Sequence, residues 1–291
     1  MTYSRLETTT RDYYNDPGSD HFYYLIWGGE DIHIGIYQSP TGSISAASRR
    51  TVETMCACLP QLNASARVID IGSGYGGSAR YLAGRFGCQV VCLNLSEVQN
   101  QKNRQLTNDA GLDSFIEVID GSFENIPFPP HSFDVVWSQD AILHSGNRRK
   151  VLEEVHRVLK PGGVFIFTDP MQSDHCPKEA LKPVLERIHL ESLGSPGFYR
   201  RIAAQLGWVE LRFEDLSSQL PVHYNRILEE ITNRETEIIR HCSPEYLHRM
   251  KTGLGHWIRN GRKGYLKWGI FLFQKPFDSR NSFAGSGPVQ R

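Results

Sequence analysis

The sequence has no surplus of charge of either sign. Its 32 lysine and arginine residues balance 32 aspartate and glutamate residues. An extended nucleic-acid surface normally leaves a basic excess, so no nucleic-acid partner is expected. It also lacks any hydrophobic run of membrane-spanning length, and its opening, MTYSRLETTTRDYYND, is polar with no apolar signal core. No membrane partner is expected, and the cytoplasm is the expected location. The six cysteines (Cys56, Cys58, Cys88, Cys92, Cys176 and Cys242) form no metal-type pair of pairs, so no metal is expected. Cys88 and Cys92 flank an apolar strand pattern, where a buried, reduced thiol is the ordinary state. Internal repeats and long low-complexity stretches are missing too. One local bias remains: Tyr246 to Phe277 holds seven basic residues and no acidic one. It is either a solvated face or an attractor for an anionic substrate.

What is present suits a folded globular protein, with 40% hydrophobic and 22% charged residues in 291. That length allows one large α/β domain with a cap, or two modest domains. Residues 1–45 are aromatic and polar without clean periodicity, and we expect them to form an N-terminal lid segment. A helix is expected over Ile44–Leu59. Alternation then begins, with strands over Arg67–Ile71, Gln89–Leu93, Phe115–Ile119, Phe133–Trp137 and Val164–Thr168. Between them fall helices over Ser78–Phe86, Ser96 to about Ala110, and Arg148–Leu159. Ser96 and Gln99 have the capping-box spacing, and Lys160-Pro161-Gly162-Gly163 stops the third of these helices. Further on, helices are expected over Pro183–Ser192 and Phe198–Leu206, and strands near Trp208–Phe213 and Lys267–Gln274. Strands alternating with amphipathic helices mean βαβ units and a mainly parallel sheet covered on both faces. The expected division is a core over 46–221, a two-helix lid insertion over 222–262, a final core strand over 263–276 and a disordered tail over 277–291.

Ligands on such sheets bind beyond the carboxyl ends of the strands. The loop after the first strand is Asp70-Ile71-Gly72-Ser73-Gly74-Tyr75-Gly76-Gly77. Gly72, Gly74 and Gly76 satisfy the spacing of a dinucleotide fingerprint, which alone is weak and also fits a nicotinamide dehydrogenase. Asp70 shifts the balance, because a carboxylate there repels a pyrophosphate and attracts a cationic amino group. Its plain alternative is to cap the turn. Asn94 ends the second strand, where a ribose-binding group often sits. Asp120-Gly121-Ser122-Phe123 follows the third strand; Ser122 and Phe123 suit an adenine edge and face, or make a simple turn. Taken in order, these features resemble the class I S-adenosylmethionine (AdoMet)-dependent methyltransferases. That resemblance implies AdoMet as co-substrate on a Rossmann-like, doubly wound, mainly parallel seven-stranded sheet with a helical lid.

The fourth strand ends in Trp137-Ser138-Gln139-Asp140-Ala141-Ile142-Leu143-His144. Asp140 and His144 share a face if the stretch turns helical, and they would stand over the cofactor loop. This stretch, together with Phe22–His33, Cys92–Asn100, His256–Arg259 and Trp268-Gly269, resembles the sarcosine/dimethylglycine N-methyltransferases from about residue 11 to 276. A more distant likeness is to the phosphoethanolamine methyltransferases, where an aspartate and a histidine line the acceptor pocket and an N-terminal tyrosine pairs with the histidine. Tyr14, or secondly Tyr23, is the counterpart here. Asn94 departs from the usual class I acid but agrees with the closer family. Leu95, Gln99 and Gln139, within the same stretches, join the expected cofactor set.

The implied partner is a small-molecule amine, methylated towards glycine betaine. His144, with Tyr14, is expected to take its proton directly or through water. Tyr23, Tyr24, Trp27 and Trp257, with His33, are expected around the acceptor, although the aromatic rings also suit a lid core. Arg187, and after it Arg200, are the candidates for the acceptor's carboxylate. A phosphate acceptor would need a denser cationic pocket, which the basic run keeps open. Nothing in the sequence sets the oligomeric state.

Overall fold

The structure, a computed structural model, describes residues 3–188, 190–240 and 242–277, the side chains of residues 17–21 aside. In chain order the elements are α1 (Arg5–Asn15), α2 (Pro17–Trp27), α3 (Ile44–Ala57), β1 (Arg67–Ile71), α4 (Gly77–Phe86), β2 (Gln89–Asn94), α5 (Glu97–Asp109), β3 (Ile116–Asp120) and β4 (Phe133–Gln139). There follow α6 (Arg148–Val158), β5 (Leu159–Thr168), β6 (Met171–Gln172), α7 (Lys182–Arg187), α8 (Pro196–Gln205), β7 (Val209–Asp215), α9 (Gln219–Asn233), α10 (Glu235–Ile238), α11 (Pro244–Arg262), β8 (Leu266–Lys267) and β9 (Gly269–Gln274).

Seven strands form one sheet in the order β3-β2-β1-β4-β5-β9-β7. The first five run parallel, and β9 lies antiparallel between β5 and β7. Alternate residues of each strand enter opposite layers, as a two-residue repeat requires. Ile69, Val91, Val136, Phe165 and Phe271 pack with Val151, Val155, Tyr199 and Ile202 of α6 and α8. Their neighbours Val68, Val90, Val135, Val164 and Ile270 pack with Val52, Met55, Ala79 and Leu82 of α3 and α4. The strand order reverses between β1 and β4, so the ends of these two strands open a crevice for a ligand. Over it, Phe22, Ile26, Ile227, Ile231, Leu247 and Leu254 join α2, α9 and α11 in a separate apolar cluster. Each such side chain contributes roughly 1.5–3 kcal/mol when fully buried. Among the described residues no helix is long and apolar enough to cross a membrane.

Several expectations change. Residues 1–45 contain two helices ahead of α3. Ser4 and Glu7 form a reciprocal capping box that starts α1, a spacing visible in the sequence. The Ser96 box is only half made: Ser96 Oγ accepts from the Gln99 amide, but the Gln99 side chain accepts from Asn94 Nδ2 instead. Residues 160–163 do not simply precede β5. They bulge out of it, since Phe133 pairs with Leu159 and Val135 with Val164. The helix expected over Pro183–Ser192 stops at Arg187, where the Leu190 amide closes back on the Leu185 carbonyl. The 222–262 segment holds three helices, and the first begins at Gln219, inside the expected core. The final strand divides at Trp268, whose amide donates to Ser217 Oγ, so Leu266–Lys267 pairs separately with Met171–Gln172. The expected tail lies outside the described residues except for Phe277.

Candidate active site

Two adjoining chambers fill the crevice. The first is built on strand ends. Gly72, directly after β1, has φ of 79°, and a Cβ there would come within 2.3 Å of the Ala141 Cβ, so the close approach of the two loops requires glycine. Gly72, Ser73 and Gly74 line this chamber with Asp70, Asn94, Leu95, Gln99, Phe123 and Gln139. Asp70 is 3% exposed. Burial pushes its carboxyl up to about 7; His33 opposes this and Asp31 adds to it. A cationic ligand group would restore its charge.

The polar groups around Asp70 are arranged for a ligand. Gln139 Oε1 accepts from Ser78 Oγ and from Trp137 Nε1, at 3.0 Å in the latter case, and its Nε2 has no partner among the described residues. Gln99 Oε1 is held by Asn94 Nδ2 at 3.0 Å, and among the described residues Gln99 Nε2 is likewise unpartnered. Buried polar atoms are seldom left unpaired. Two amide nitrogens in the wall of one chamber, beside a buried acid and an aromatic face, fit a ligand with an amino-acid end, hydroxyls and a flat ring.

The second chamber is largely aromatic, with Tyr13, Tyr14, Tyr23, Trp27, Tyr224 and Trp257 in its wall. Tyr23 and Tyr13 share a hydrogen bond of 3.0 Å, and the Tyr23 ring lies 5.0 Å from that of Trp27. Trp27 Nε1 donates to the His33 carbonyl. Thr10, Tyr14, Ile32, His33, Asp140 and His144 line both chambers. In that shared wall Tyr14 Oη lies 3.1 Å from His144 Nε2, with the rings perpendicular. Burial, aided by Arg148, lowers the His144 imidazole to about 4, so the ring is neutral at pH 7. Burial also raises the Tyr14 hydroxyl far above its usual range, keeping it a phenol. The expected helical face for Asp140 and His144 is not formed. Asp140 has φ of 51°, a left-handed turn that Asp tolerates better than most residues, and a 3-10 turn then covers Ile142–His144. Trp268 Nε1 and the Ile34 amide donate to its two carboxylate oxygens, at 2.8 and 2.7 Å.

Arg187 reaches the aromatic chamber, but Arg200 does not. Arg200 pairs with Glu210 on the outer face, with its guanidinium over Phe213. Tyr24 also points away, 38% exposed and edge-on to Tyr75 with Lys102 above it. Gly76 packs against Asn103 rather than lining the first chamber, and the Ser122 hydroxyl is engaged by the Glu124 amide and by Glu7. The basic run does not serve either chamber, and several of its members are engaged elsewhere. Lys251 pairs with Glu235, Lys267 with Asp215, and Lys275 donates to the His156 and Leu159 carbonyls. None of its seven basic residues lines either chamber. Ser73, Ser78, Tyr13 and Tyr224 are wall residues that sequence reasoning did not select. Ser73 stood between two selected glycines and Ser78 just past the loop at the start of α4, whereas the tyrosines carry no local signal.

A methyltransferase-domain family profile matches residues 69–167. With a cradle for a cationic amino-acid end on a seven-stranded sheet of this order, it defines an AdoMet-dependent methyltransferase. The chain is 54% identical over 267 residues to the sarcosine/dimethylglycine N-methyltransferase of Halorhodospira halochloris, covering 92% of this chain and 96% of that one. It is 55% identical to the enzyme of the same name from Aphanothece halophytica, over 91% of this chain and 96% of that one. A crystal structure from Galdieria sulphuraria, assigned as a sarcosine dimethylglycine methyltransferase, superposes with a TM-score of 0.87 at 45% identity, covering 91% of this chain and all of that one. The chain belongs to the sarcosine/dimethylglycine N-methyltransferase family and is an AdoMet-dependent N-methyltransferase. The dehydrogenase alternative falls with that.

Proposed function

We propose that this enzyme methylates sarcosine and N,N-dimethylglycine, leading to glycine betaine. One observation carries the choice of acceptor: the chamber beside the cofactor cradle is aromatic and holds a single arginine, Arg187, that makes no ion pair among the described residues. That combination suits a molecule with an amine at one end and one carboxylate at the other. A phosphate, with its further charge, calls for more cations than this wall supplies.

Asp70 would hold the amino group of AdoMet, and the Asn94 side-chain oxygen with Gln99 would hold the ribose. Leu95 and Phe123 would pack on the adenine, with Gly72 and Gly74 admitting the ligand to the backbone. AdoMet supplies an electrophilic methyl on a sulfonium. The protein's task is to present a neutral amine nitrogen in line with it, and such alignment can contribute roughly 7–11 kcal/mol. Tyr14 and His144 stand where the chambers meet and fit that orienting role. A ring held near 4 is a weak base, so the pair is better suited to pass the amine's proton to water than to retain it. Asp140 positions the wall through Ile34 and Trp268. As positive charge reaches the nitrogen, the faces of Tyr23, Trp27 and Trp257 stabilise it by about 0.5–2 kcal/mol each, with His33 closing the junction. Helices α1, α2, α9 and α11 act as the lid that keeps bulk water out. The reading also implies a soluble cytoplasmic enzyme.

The test offers glycine, sarcosine, dimethylglycine and phosphoethanolamine separately and measures S-adenosylhomocysteine formed. Turnover of sarcosine and dimethylglycine is expected. Turnover of phosphoethanolamine alone would overturn the proposal.

A further inference from the structure

Met250, Gly253, Leu254 and Trp257 of α11 are spaced at i, i+3, i+4 and i+7, which places them on one stripe. Leu254 and Trp257 line the acceptor chamber, and Arg187 at the end of α7 lies across the stripe. Arg187 Nη2 is 3.0 Å from Met250 Sδ. A Cβ built on Gly253 would fall 2.0 Å from Arg187 Cδ and 2.5 Å from Nε. The arginine stem therefore occupies the space that any larger residue at 253 would need. Among the described residues the guanidinium makes no ion pair, and the one acid in the chamber wall, Asp140, accepts from Trp268 and Ile34 instead.

One turn along the same stripe, Trp257 is 2% exposed, and its Nε1–H has no acceptor among the described residues. Its ring is held by Tyr224, with centroids 4.9 Å apart. An indole N–H buried without a partner is costly, and in a ligand chamber it marks where a ligand oxygen belongs.

Building on the acceptor reading above, we propose that Arg187 and the Trp257 indole N–H together form the seat for the acceptor's carboxylate, with Gly253 as the residue that positions the arginine. The seat recognises a planar monoanion. The guanidinium supplies a fork of N–H groups and the indole one more, and the aromatic walls leave the amine end facing Tyr14 and His144.

Calorimetry with dimethylglycine and protein saturated with S-adenosylhomocysteine tests this. Trp257→Phe keeps an aromatic ring and removes the N–H; its Kd for dimethylglycine should rise about tenfold, with S-adenosylhomocysteine affinity unchanged. Gly253→Ala should weaken dimethylglycine by a similar factor in the parent, yet add nothing in an Arg187→Met background. A merely structural role for Gly253 would add in both. If the parent binds dimethylglycine and Trp257→Phe binds it equally well, the seat is wrong. Additive losses for Gly253→Ala and Arg187→Met would remove Gly253 from it. If the parent binds neither sarcosine nor dimethylglycine, the acceptor reading itself falls and takes the seat with it. Retained S-adenosylhomocysteine binding confirms in each case that the variant is folded.

Discussion

The two chambers share a wall but are made in different ways. The cofactor chamber comes from the ends of adjacent parallel strands and the turns that follow them. Most of its lining lies within a few residues of β1, β2, β3 or β4. The acceptor chamber gathers side chains from α1, α2, α7, α9 and α11, from Leu6 to Trp257 in the chain. A rigid sheet sets the donor site, and helix packing sets the acceptor site. Substitutions in one should leave the other's binding largely intact, and only residues of the shared wall should disturb both.

The largest effect is expected at that wall. His144→Ala removes the group that meets Tyr14 at the junction, and kcat with dimethylglycine should fall on the order of 10² or more. AdoMet binding, measured by calorimetry, should survive. If kcat is unchanged, His144 has no part in the reaction.

Next comes the donor side alone. Asp70→Asn removes the cradle carboxylate placed for a cationic amino group; of the other acids in that wall, Glu30 and Asp31 pair with Arg80 and Arg49, and Asp140 accepts from Trp268 and Ile34. Loss of a charge-assisted bond of roughly 1.5–3 kcal/mol predicts about 10- to 100-fold weaker AdoMet, with dimethylglycine KM at saturating AdoMet unmoved. The same carboxyl sets a pH dependence. Without ligand it titrates at about 7, because burial favours the protonated form, whereas the bound amino group favours the ionised one. Binding below pH 7 must expel a proton, so affinity is full above about 7 and falls as the pH drops below it, by up to about tenfold per unit. Asn at this position should flatten that profile. An unflattened profile, or undiminished affinity, would dismiss the cradle.

The contrast between the chambers also explains what could be read from the chain in advance. The sheet was legible because its strands are short apolar runs between glycine turns. The donor site was legible because Asp70, Gly72, Asn94 and Phe123 stand at strand ends. The acceptor site was legible mostly through likeness to a family, which suggested Tyr14 with His144. Tyr13 and Tyr224 carry no local signal, since only the packing of α1 against α2 and of α9 against α11 brings them together. Arg187 and Arg200 look alike as sequence, and it is their partners in space that separate them. The helices of the first 45 residues were hidden by a mixed aromatic and polar pattern, although the Ser4–Glu7 box announces the start of α1.

Tyr14→Phe tests the wall more gently. It removes one neutral hydrogen bond to His144 and keeps the ring, so about a fivefold loss of kcat is expected, consistent with roughly 1 kcal/mol. In the His144→Ala background the same change should cost almost nothing further, since the bond is already gone. Independent, additive losses would mean that the two act separately.

The smallest effect sharpens the boundary of the acceptor site. Arg200 and Glu210 form an ion pair on the outer face, with the arginine side chain 44% exposed. Exposed pairs of this kind contribute about 0–1 kcal/mol. Arg200→Ala should therefore lower stability only slightly and leave the KM for sarcosine and dimethylglycine within about twofold of the parent, in contrast to substitutions at Arg187. A KM that rose with Arg200→Ala and not with Arg187→Ala would exchange the roles of the two arginines. The carboxylate seat would then have to lie on the far side of β7 and β9, where neither chamber reaches.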